Sequence, residues 1–210
     1  MDIALEVVVV QYICLLFSLC VHEAAHAKMA ENCGDPSARL LGRVTLNPVA
    51  HADPIGTVLL PILMIIFPFP FLFGWAKPVP FNPANLNNIR RDPMLIAVAG
   101  PASNVVIAFI TMMVLKAAVF AFGAEAVAGS PWFAGAFYLV MINFILVVFN
   151  MIPVPPLDGH YVLHYFLPPD GQRMLETIGP FGILIAIIVA RPVFMVVIPP
   201  LQDFVFWFIF

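Results

Sequence analysis

The sequence predicts an all-α membrane protein, a single integral domain over residues 1–210 built as a polytopic bundle of about five or six hydrophobic segments. Hydrophobic residues make up 62% of the 210 residues and charged residues 10%, and the mean hydropathy is +1.02. Soluble domains are about 45–50% apolar and about 25% charged. The net charge is −3 and Lys/Arg clusters are lacking, so nucleic acid is not an expected partner.

Six apolar runs follow one another along the chain, and most approach the roughly 20 residues that a helix needs to cross a membrane. They are Ile3–Val21, Ile55–Phe73, Met94–Leu115, Phe133–Ile152, Leu175–Ala190 and Val193–Phe210. Pro61, Pro68 and Pro70 interrupt the second run. A proline inside a helix removes a hydrogen bond and clashes with the preceding turn, so this run is not expected to be a regular helix. Pro199 and Pro200 weaken the prediction of a span for the last run in the same way.

The segment His22-Glu23-Ala24-Ala25-His26 directly follows the first apolar run. Two His four residues apart project from one face of a helix and can hold one zinc ion, while Glu23 flanks that face. Ionisable residues in or beside a transmembrane helix are costly and usually mark function. The alternative is a set of interfacial polar residues without a metal, but chance would produce the triplet at a rate of only about 0.3%. We therefore predict a metal site of the hydrolase type.

A second polar element ends the fourth run. It is the segment Asn150-Met151-Ile152-Pro153-Val154-Pro155-Pro156-Leu157-Asp158-Gly159. Its prolines prevent a regular helix, so the backbone can turn the Asp158 carboxylate inward. An Asp-Gly pair in a loop is more often simply a turn. Asp158 becomes a candidate ligand because a catalytic zinc takes three protein ligands and keeps one open position for water, and the two His supply only two of the three.

These segments resemble the site-2 protease family of intramembrane zinc metalloproteases, in its small, bacterial, short-chain branch. The likeness rests on His22–His26, on Ala99–Asn104 at the start of the third run, and on Asn150–Gly159, in the family's order. Leu46–His51 and Gly74–Pro80 also resemble the short-chain branch. The resemblance implies an intramembrane zinc metalloendopeptidase that acts on other membrane proteins.

By this resemblance, His22, His26 and Asp158 bind zinc (Zn²⁺), one ion per chain. Glu23 is then the general base that takes a proton from the attacking water and delivers it to the leaving amine. Zinc acidifies that water and polarises the scissile carbonyl. The substrate is a transmembrane segment, as in regulated intramembrane proteolysis, and it must unwind locally because a helix shields its own backbone.

Five further polar residues have less specific interpretations. Asn150 and Asn104 are candidates for holding the unwound backbone of the substrate, and helix-to-helix hydrogen bonding is the alternative. His51 is interpreted as an ordinary loop residue or as a neighbour of the zinc ligands, and an inhibitory fourth ligand is the alternative. His160 and His164 repeat the four-residue spacing but lack the intervening Glu, so a second metal site is not expected there.

A shared zinc would also fix the topology. His22 and Asp158 each lie at the C-terminal end of a run, so the first and fourth runs must point the same way. The third run goes back, and the second must start and finish on the side of the site, as a re-entrant or broken element at residues 55–73.

The basic residues agree with this fold-back. Of nine Lys and Arg, seven fall on the side of the site, namely Lys28, Arg39, Arg43, Lys77, Arg90, Arg91 and Arg173. Lys116 and Arg191 fall on the opposite side. The positive-inside rule makes the richer side cytoplasmic. We therefore expect a multi-pass protein in the lipid of a bacterial cell membrane, with its active site toward the cytoplasm.

Two other functions are compatible with the pattern. A different class of membrane metalloprotease would take a Glu as its third ligand, for which Glu176 is the best candidate. A non-catalytic metal-binding or scaffold protein would not need Glu23. Zinc content and cleavage by the purified protein distinguish these possibilities.

Overall fold

Helices account for the architecture, and four of them are long. The structure, a computed structural model, describes residues 5–66 and 74–210. Its helices are α1 Leu5–Asn32, α2 Ser37–Leu40, α3 Pro48–His51, α4 Leu60–Ile66, α5 Asp92–Phe122, α6 Ala124–Ala128, α7 Pro131–Asn150, α8 Gly159–Phe166, α9 Pro169–Ile178 and α10 Gly182–Ile209. Among the described residues, four helices, α1, α5, α7 and α10, are long and apolar enough to cross a membrane. The predicted all-α membrane fold is confirmed.

Contacts between α1 and α7 show that these two helices run parallel. Cys14 lies beside Gly135 in the first half of α7, with the Cys14 sulfur 3.8 Å from the Gly135 carbonyl oxygen. One turn further along α1, Ser18 Oγ accepts a hydrogen bond of 2.9 Å from Asn143 Nδ2, in the second half of α7. The first and fourth apolar runs therefore point the same way, as a shared site requires.

Helix α5 runs against both of them. Its residue Ile96, close to the start of α5, contacts His26 near the end of α1. Asn104, about two turns later in α5, contacts the Ser18 backbone about two turns earlier in α1. The N-terminal half of α5 thus lies beside the His-bearing half of α1.

Helix α10 is a single helix over Gly182–Ile209, so the prediction of separate runs at 175–190 and 193–210 is wrong at this boundary. Three prolines lie inside it: Pro192, Pro199 and Pro200. Transmembrane helices tolerate internal proline because neighbouring groups and local adjustments satisfy the freed backbone. Arg191, predicted to lie beyond a span on the opposite side, is instead inside α10.

The second apolar run begins and ends at neighbouring places in the fold. It begins as a π-helical turn at Pro54–Leu59 and continues as α4, while residues 67–73, which include Pro68 and Pro70, lie outside the described residues. The Thr57 hydroxyl donates to the Trp75 carbonyl at 2.9 Å. The Lys77 N–H donates to the His51 carbonyl at 2.9 Å. The two ends of the run therefore meet, as expected for a re-entrant or broken element.

The connector between α1 and α5 is fastened by the buried Asp35. Its carboxylate accepts hydrogen bonds from the N–H and hydroxyl of Ser37, the Asn82 N–H and the Asn85 amide. Burial works to raise the pKa of Asp35, but the hydrogen bonds from Asn85, Ser37 and Asn82 outweigh it and hold the pKa below its usual range. The loop after α1 is thereby attached to the segment that passes the site.

Candidate metal and catalytic centre

The two His of α1 face each other inside the bundle. His22 and His26 are 4% and 7% exposed, and their rings lie edge to face with centroids 4.5 Å apart. Their Nε2 atoms are 2.9 Å apart. The helical spacing of four residues thus brings both ring nitrogens to one point, as the sequence predicts.

Asp158 completes the group from the chain between α7 and α8. Its Oδ2 lies 3.2 Å from His22 Nε2 and 3.4 Å from His26 Nε2. Within the part of the chain that the structure describes, these three residues are the one group of His, Cys, Asp or Glu side chains arranged to hold a metal ion. The fold therefore brings together the three predicted ligands from distant parts of the chain.

The Nδ1 atom of each His ring faces a hydrogen-bond acceptor, which fixes the orientation of the ring. His26 Nδ1 donates to the Ile96 carbonyl at 2.7 Å, and His22 Nδ1 lies 2.5 Å from Asn104 Oδ1. When Nδ1 carries the proton of a neutral ring, Nε2 presents a lone pair. Such outer hydrogen bonds are typical of His residues that bind metal.

The inner atoms of the group fit a bound cation. With both Nδ1 atoms donating, two nitrogen lone pairs face each other at 2.9 Å, beside a carboxylate. Asp158 Oδ2 is buried and has no hydrogen-bond partner among the described residues. Buried acceptors without donors are costly, and a cation between them removes the cost. Nitrogen and carboxylate oxygen donors suit zinc.

Gly100 of α5 forms the floor of this space. A Cβ atom at this position would lie 2.4 Å from His26 Nε2 and 2.6 Å from His22 Nε2. These distances are too short for any real Cβ contact, so only glycine lets α5 approach the ligand atoms. Gly100 belongs to the segment that the sequence resemblance rests on, but its close contact with both rings could not be read from the sequence.

Glu23 lies in the same cavity as the three ligands. The cavity has a volume of about 620 Å³, and Gly74, Pro78 and Val79 form part of its wall. The Val79 N–H donates to Glu23 Oε2 at 3.1 Å. This single hydrogen bond fixes one oxygen of the carboxylate against the extended segment after the second apolar run.

The two predicted asparagines occupy different places. Asn150, at the end of α7, lines the cavity of the site, and its amide donates to the Leu146 carbonyl at 3.0 Å. Asn104 is fully buried behind His22, and its amide nitrogen donates to Asn143 Oδ1 at 2.7 Å. Asn150 is thus accessible from the cavity, whereas the position of Asn104 does not suit contact with a substrate.

His51 is buried in the connector between α1 and α5. Its Nε2 lies 2.9 Å from the Thr45 carbonyl oxygen, and its backbone carbonyl joins the two ends of the second run through Lys77. These contacts favour the loop interpretation of His51.

A second cavity of about 630 Å³ lies next to the first, and both are lined by Phe81 and Tyr161. It contains His160, His164 and Glu176. His164 Nε2 lies 3.7 Å from Glu176 Oε1, so Glu176 is paired with His164 in the neighbouring cavity and not with the His of α1. The pKa of His160 is lowered, mainly because burial disfavours the charged form of the ring.

Two residues of the centre were missed by the sequence analysis. Ser18 and Asn143 are fully buried and belong to the hydrogen-bonded group around Asn104. The available signal was a polar side chain within an apolar run, which is rare in membrane spans and usually has a partner. Their partners became visible only when three helices were brought together.

Comparisons with known proteins identify relatives of this chain. A family model described as peptidase family M50 matches residues 10–190. The protein YwhC of Bacillus subtilis is 33% identical over 197 residues, which are 93% of this chain and 83% of YwhC. The protein Rip2 of Mycolicibacterium smegmatis is 30% identical over 197 residues, covering 92% of this chain and 70% of Rip2. Their names class both as candidate zinc metalloproteases. No solved structure matches the chain.

Proposed function

Because the chain belongs to peptidase family M50, the site-2 protease family, we propose that it is an intramembrane zinc metalloendopeptidase that hydrolyses peptide bonds in transmembrane segments of other proteins. Family membership confirms the resemblance predicted from the motifs and identifies the chain as a membrane zinc metalloprotease. One observation carries the finer proposal: His22, His26 and Asp158 converge beside Glu23 in one cavity.

The proposed metal ligands are His22 Nε2, His26 Nε2 and Asp158 Oδ2, holding one zinc ion per chain. Their mutual distances of 2.9, 3.2 and 3.4 Å suit atoms that share one small cation. When bound, zinc supplies Lewis acidity, which acidifies water and polarises the scissile carbonyl.

Glu23 is the proposed general base. One of its oxygens is held by the Val79 N–H, which leaves the other free to accept a proton from the attacking water. The same carboxyl group then donates that proton to the leaving amine nitrogen, so the carboxylate is restored at the end of the cycle. Fixing one oxygen keeps the carboxylate directed into the cavity while the proton moves.

The wall of the cavity suits a locally unwound substrate. It is mostly apolar, with Leu19, Leu146 and Leu157 among its lining residues, and a transmembrane segment is apolar as well. Unwinding frees backbone groups that need partners in a membrane. Asn150 is proposed to bind them, because its amide uses one N–H on Leu146 and retains a second N–H for a substrate carbonyl.

The proposed location is a bacterial cell membrane, with the active site toward the cytoplasm. Four apolar helices support an integral membrane protein. The parallel α1 and α7 bring the His pair and the Asp158 segment after α7 to the same end of the bundle. Seven of the nine basic residues lie near the end of α1 or in the chain between long helices at that end. Arg191 lies inside α10 and Lys116 inside α5, and the described connection between α5 and α7 at the opposite end has no basic residue, which agrees with the positive-inside rule.

The two alternatives receive no support from the arrangement of side chains. A Glu176-ligated protease would need this carboxylate near the His of α1, yet Glu176 faces His164. A metal carrier would not need Glu23 in the cavity. The proposal therefore rests on Asp158 as third ligand and on Glu23 as a proton acceptor.

Metal analysis and cleavage measured on the same purified variants test this proposal. We expect Glu23→Gln to retain zinc and to lose about two to four orders of magnitude in cleavage rate, the usual share of general acid-base catalysis. Asp158→Ala is expected to lose both zinc and activity. Glu176→Ala is the matched control and is expected to keep both. Wild-type cleavage by Glu23→Gln, or full zinc in Asp158→Ala, would refute the proposed mechanism or ligand set.

A further inference from the structure

Three buried polar side chains form a row that ends on His22. Ser18 of α1, Asn143 of α7 and Asn104 of α5 are each 0% exposed, although they lie in predominantly apolar helices. We propose that this row, which we call the tautomer relay (Ser18, Asn143 and Asn104), determines which nitrogen of His22 carries the proton and so makes the ring competent to bind zinc. The inference rests on the proposed function, in which His22 is a zinc ligand.

The relay is anchored by backbone carbonyls at its far end, which can only accept hydrogen bonds. The Ser18 hydroxyl donates to the Cys14 carbonyl at 2.8 Å, so Ser18 Oγ acts as an acceptor toward Asn143. The Asn143 amide nitrogen donates to the Leu139 carbonyl at 2.8 Å and to Ser18 Oγ at 2.9 Å. Both acceptors require that the nitrogen of the Asn143 carboxamide, and not its oxygen, faces Ser18 and Leu139. Its oxygen must therefore point at Asn104.

That orientation is passed on to His22. Asn143 Oδ1 accepts from Asn104 Nδ2 at 2.7 Å, so Asn104 Oδ1 is the atom that faces His22 Nδ1 at 2.5 Å. An amide oxygen cannot donate, and His22 Nδ1 must carry the proton. His22 Nε2 then has a lone pair toward His26 and Asp158. If Asn104 were turned over, its N–H would face Nδ1, and the proton would move to Nε2, where it blocks metal binding.

The other His does not depend on such a relay. His26 Nδ1 faces the Ile96 backbone carbonyl at 2.7 Å, and a backbone carbonyl in a helix cannot exchange its oxygen for a nitrogen. Of the two ring ligands, only His22 faces a side chain that fits in two orientations. The relay therefore selects one of the two orientations of Asn104 and, with it, one tautomer of His22. No such choice arises at His26. Polar residues that served only to join helices would affect stability without selecting a tautomer.

The test replaces the acceptor that orients Asn104. Asn143→Leu has similar size but accepts no hydrogen bond, which leaves Asn104 Nδ2 with only the longer contact to the Ser18 carbonyl at 3.4 Å. Asn104 can then turn over, and His22 should populate both tautomers. We expect the zinc Kd to rise at least about tenfold, since residues that orient metal ligands typically contribute about 10–100-fold in affinity. Asn143→Asp, as the neutral acid, offers one acceptor and one donor in the places of the amide groups and is expected to restore most of the affinity.

Two measurements are made on each variant in detergent: the zinc Kd by competition with a chelator, and the ¹⁵N spectrum of His-labelled, zinc-free protein. The second reports the tautomer of His22, whose signals are assigned by their loss in His22→Ala. Thr111→Val is the matched control, because the Thr111 hydroxyl donates only within α5, to the Ile107 carbonyl at 2.8 Å. It should leave both the zinc Kd and the tautomer unchanged.

A raised Kd and a mixed His22 tautomer in Asn143→Leu, restored by Asn143→Asp, support the relay. An unchanged Kd overturns it, and so does a raised Kd with an unchanged tautomer or without restoration by Asn143→Asp. If Asn143→Leu does not fold, Asn143→Val takes its place, since it also removes the acceptor that faces Asn104, and an unchanged tautomer there has the same meaning. Failure of the proposed zinc site is recognised separately, because His26→Ala and Asp158→Ala would then retain full zinc affinity.

Discussion

Replacing Gly100 by Ala tests the geometry of the centre with a single methyl group. The new Cβ would lie 2.4 Å from His26 Nε2 and 2.6 Å from both His22 Nε2 and His26 Cε1, whereas ordinary contacts begin at 3.4 Å. Helix α5 or the rings must therefore move by about 0.8 to 1.0 Å, the difference between these distances. Neither ring can swing away freely, because His22 and His26 are held at Nδ1 by Asn104 and Ile96.

A shift of this size is several times the tolerance of a zinc site, in which bond lengths stay within about 0.2 Å of about 2.0–2.1 Å. We expect Gly100→Ala to raise the zinc Kd by about 100-fold or more and to abolish cleavage at limiting zinc. Weaker helix formation would not explain that loss, because Ala favours a helix interior by about 0.5–1 kcal/mol over Gly. Zinc titration, cleavage and thermal unfolding on one preparation separate these effects.

Gly135→Ala is the matched control. Its Cβ would approach the end of the Val10 side chain at 3.1 Å, a contact that a small adjustment relieves, so zinc affinity should not change. Zinc affinity and cleavage close to those of the wild type in Gly100→Ala would show that α5 does not limit the space at the two His rings.

Three other expectations follow from contacts elsewhere in the chain. Cysteines introduced at positions 53 and 76 should react with an impermeant label from the same face of the membrane, because the ends of the second run meet; labelling from opposite faces would exclude the shared site. Gly182→Ala should lower zinc affinity, since its Cβ would lie 1.6 Å from the Pro155 carbonyl oxygen in the segment that carries Asp158; Gly179→Ala, whose Cβ meets nothing within 4 Å, is the control. The depressed pKa of Asp35 adds stability above its unfolded value of about 3.9, and this stability is lost as the pH falls through the folded pKa. The melting temperature should therefore fall less steeply below about pH 4 in Asp35→Asn than in the wild type, and equal slopes would contradict this role.

The sequence determined those features that depend on local periodicity and composition. A spacing of four residues places His22 and His26 on one helical face wherever that helix packs, so their partnership needed no tertiary information. The apolar runs identified α1, α5 and α7 because a membrane demands about 20 apolar residues whatever the neighbours are. Prolines marked the second run as irregular for the same local reason.

The sequence did not decide those features that depend on neighbouring helices. Residues 175–190 and 193–210 were predicted as separate runs, yet α10 continues from one into the other through Arg191 and Pro192, because neighbouring helices and local adjustment can satisfy a backbone group that proline leaves unpaired. Asn104 was a candidate either for binding substrate or for hydrogen bonding between helices, and in the structure it contacts His22 and Asn143. A carboxamide has donors and an acceptor at all times, so its sequence position does not say which partner it takes.

Tertiary structure alone decided which carboxylate joins the His pair and what surrounds them. Asp158 is 132 residues beyond His26 in numbering, and it reaches Nε2 only because α7 runs parallel to α1 and ends at the same level. Glu176 has the same chemistry but is directed toward His164 by α9. Gly100 is one of 12 glycines, and what distinguishes it is the approach of α5 to two imidazoles. Residue type and helical period are properties of the chain, whereas distances between atoms far apart in sequence are set only when the helices pack.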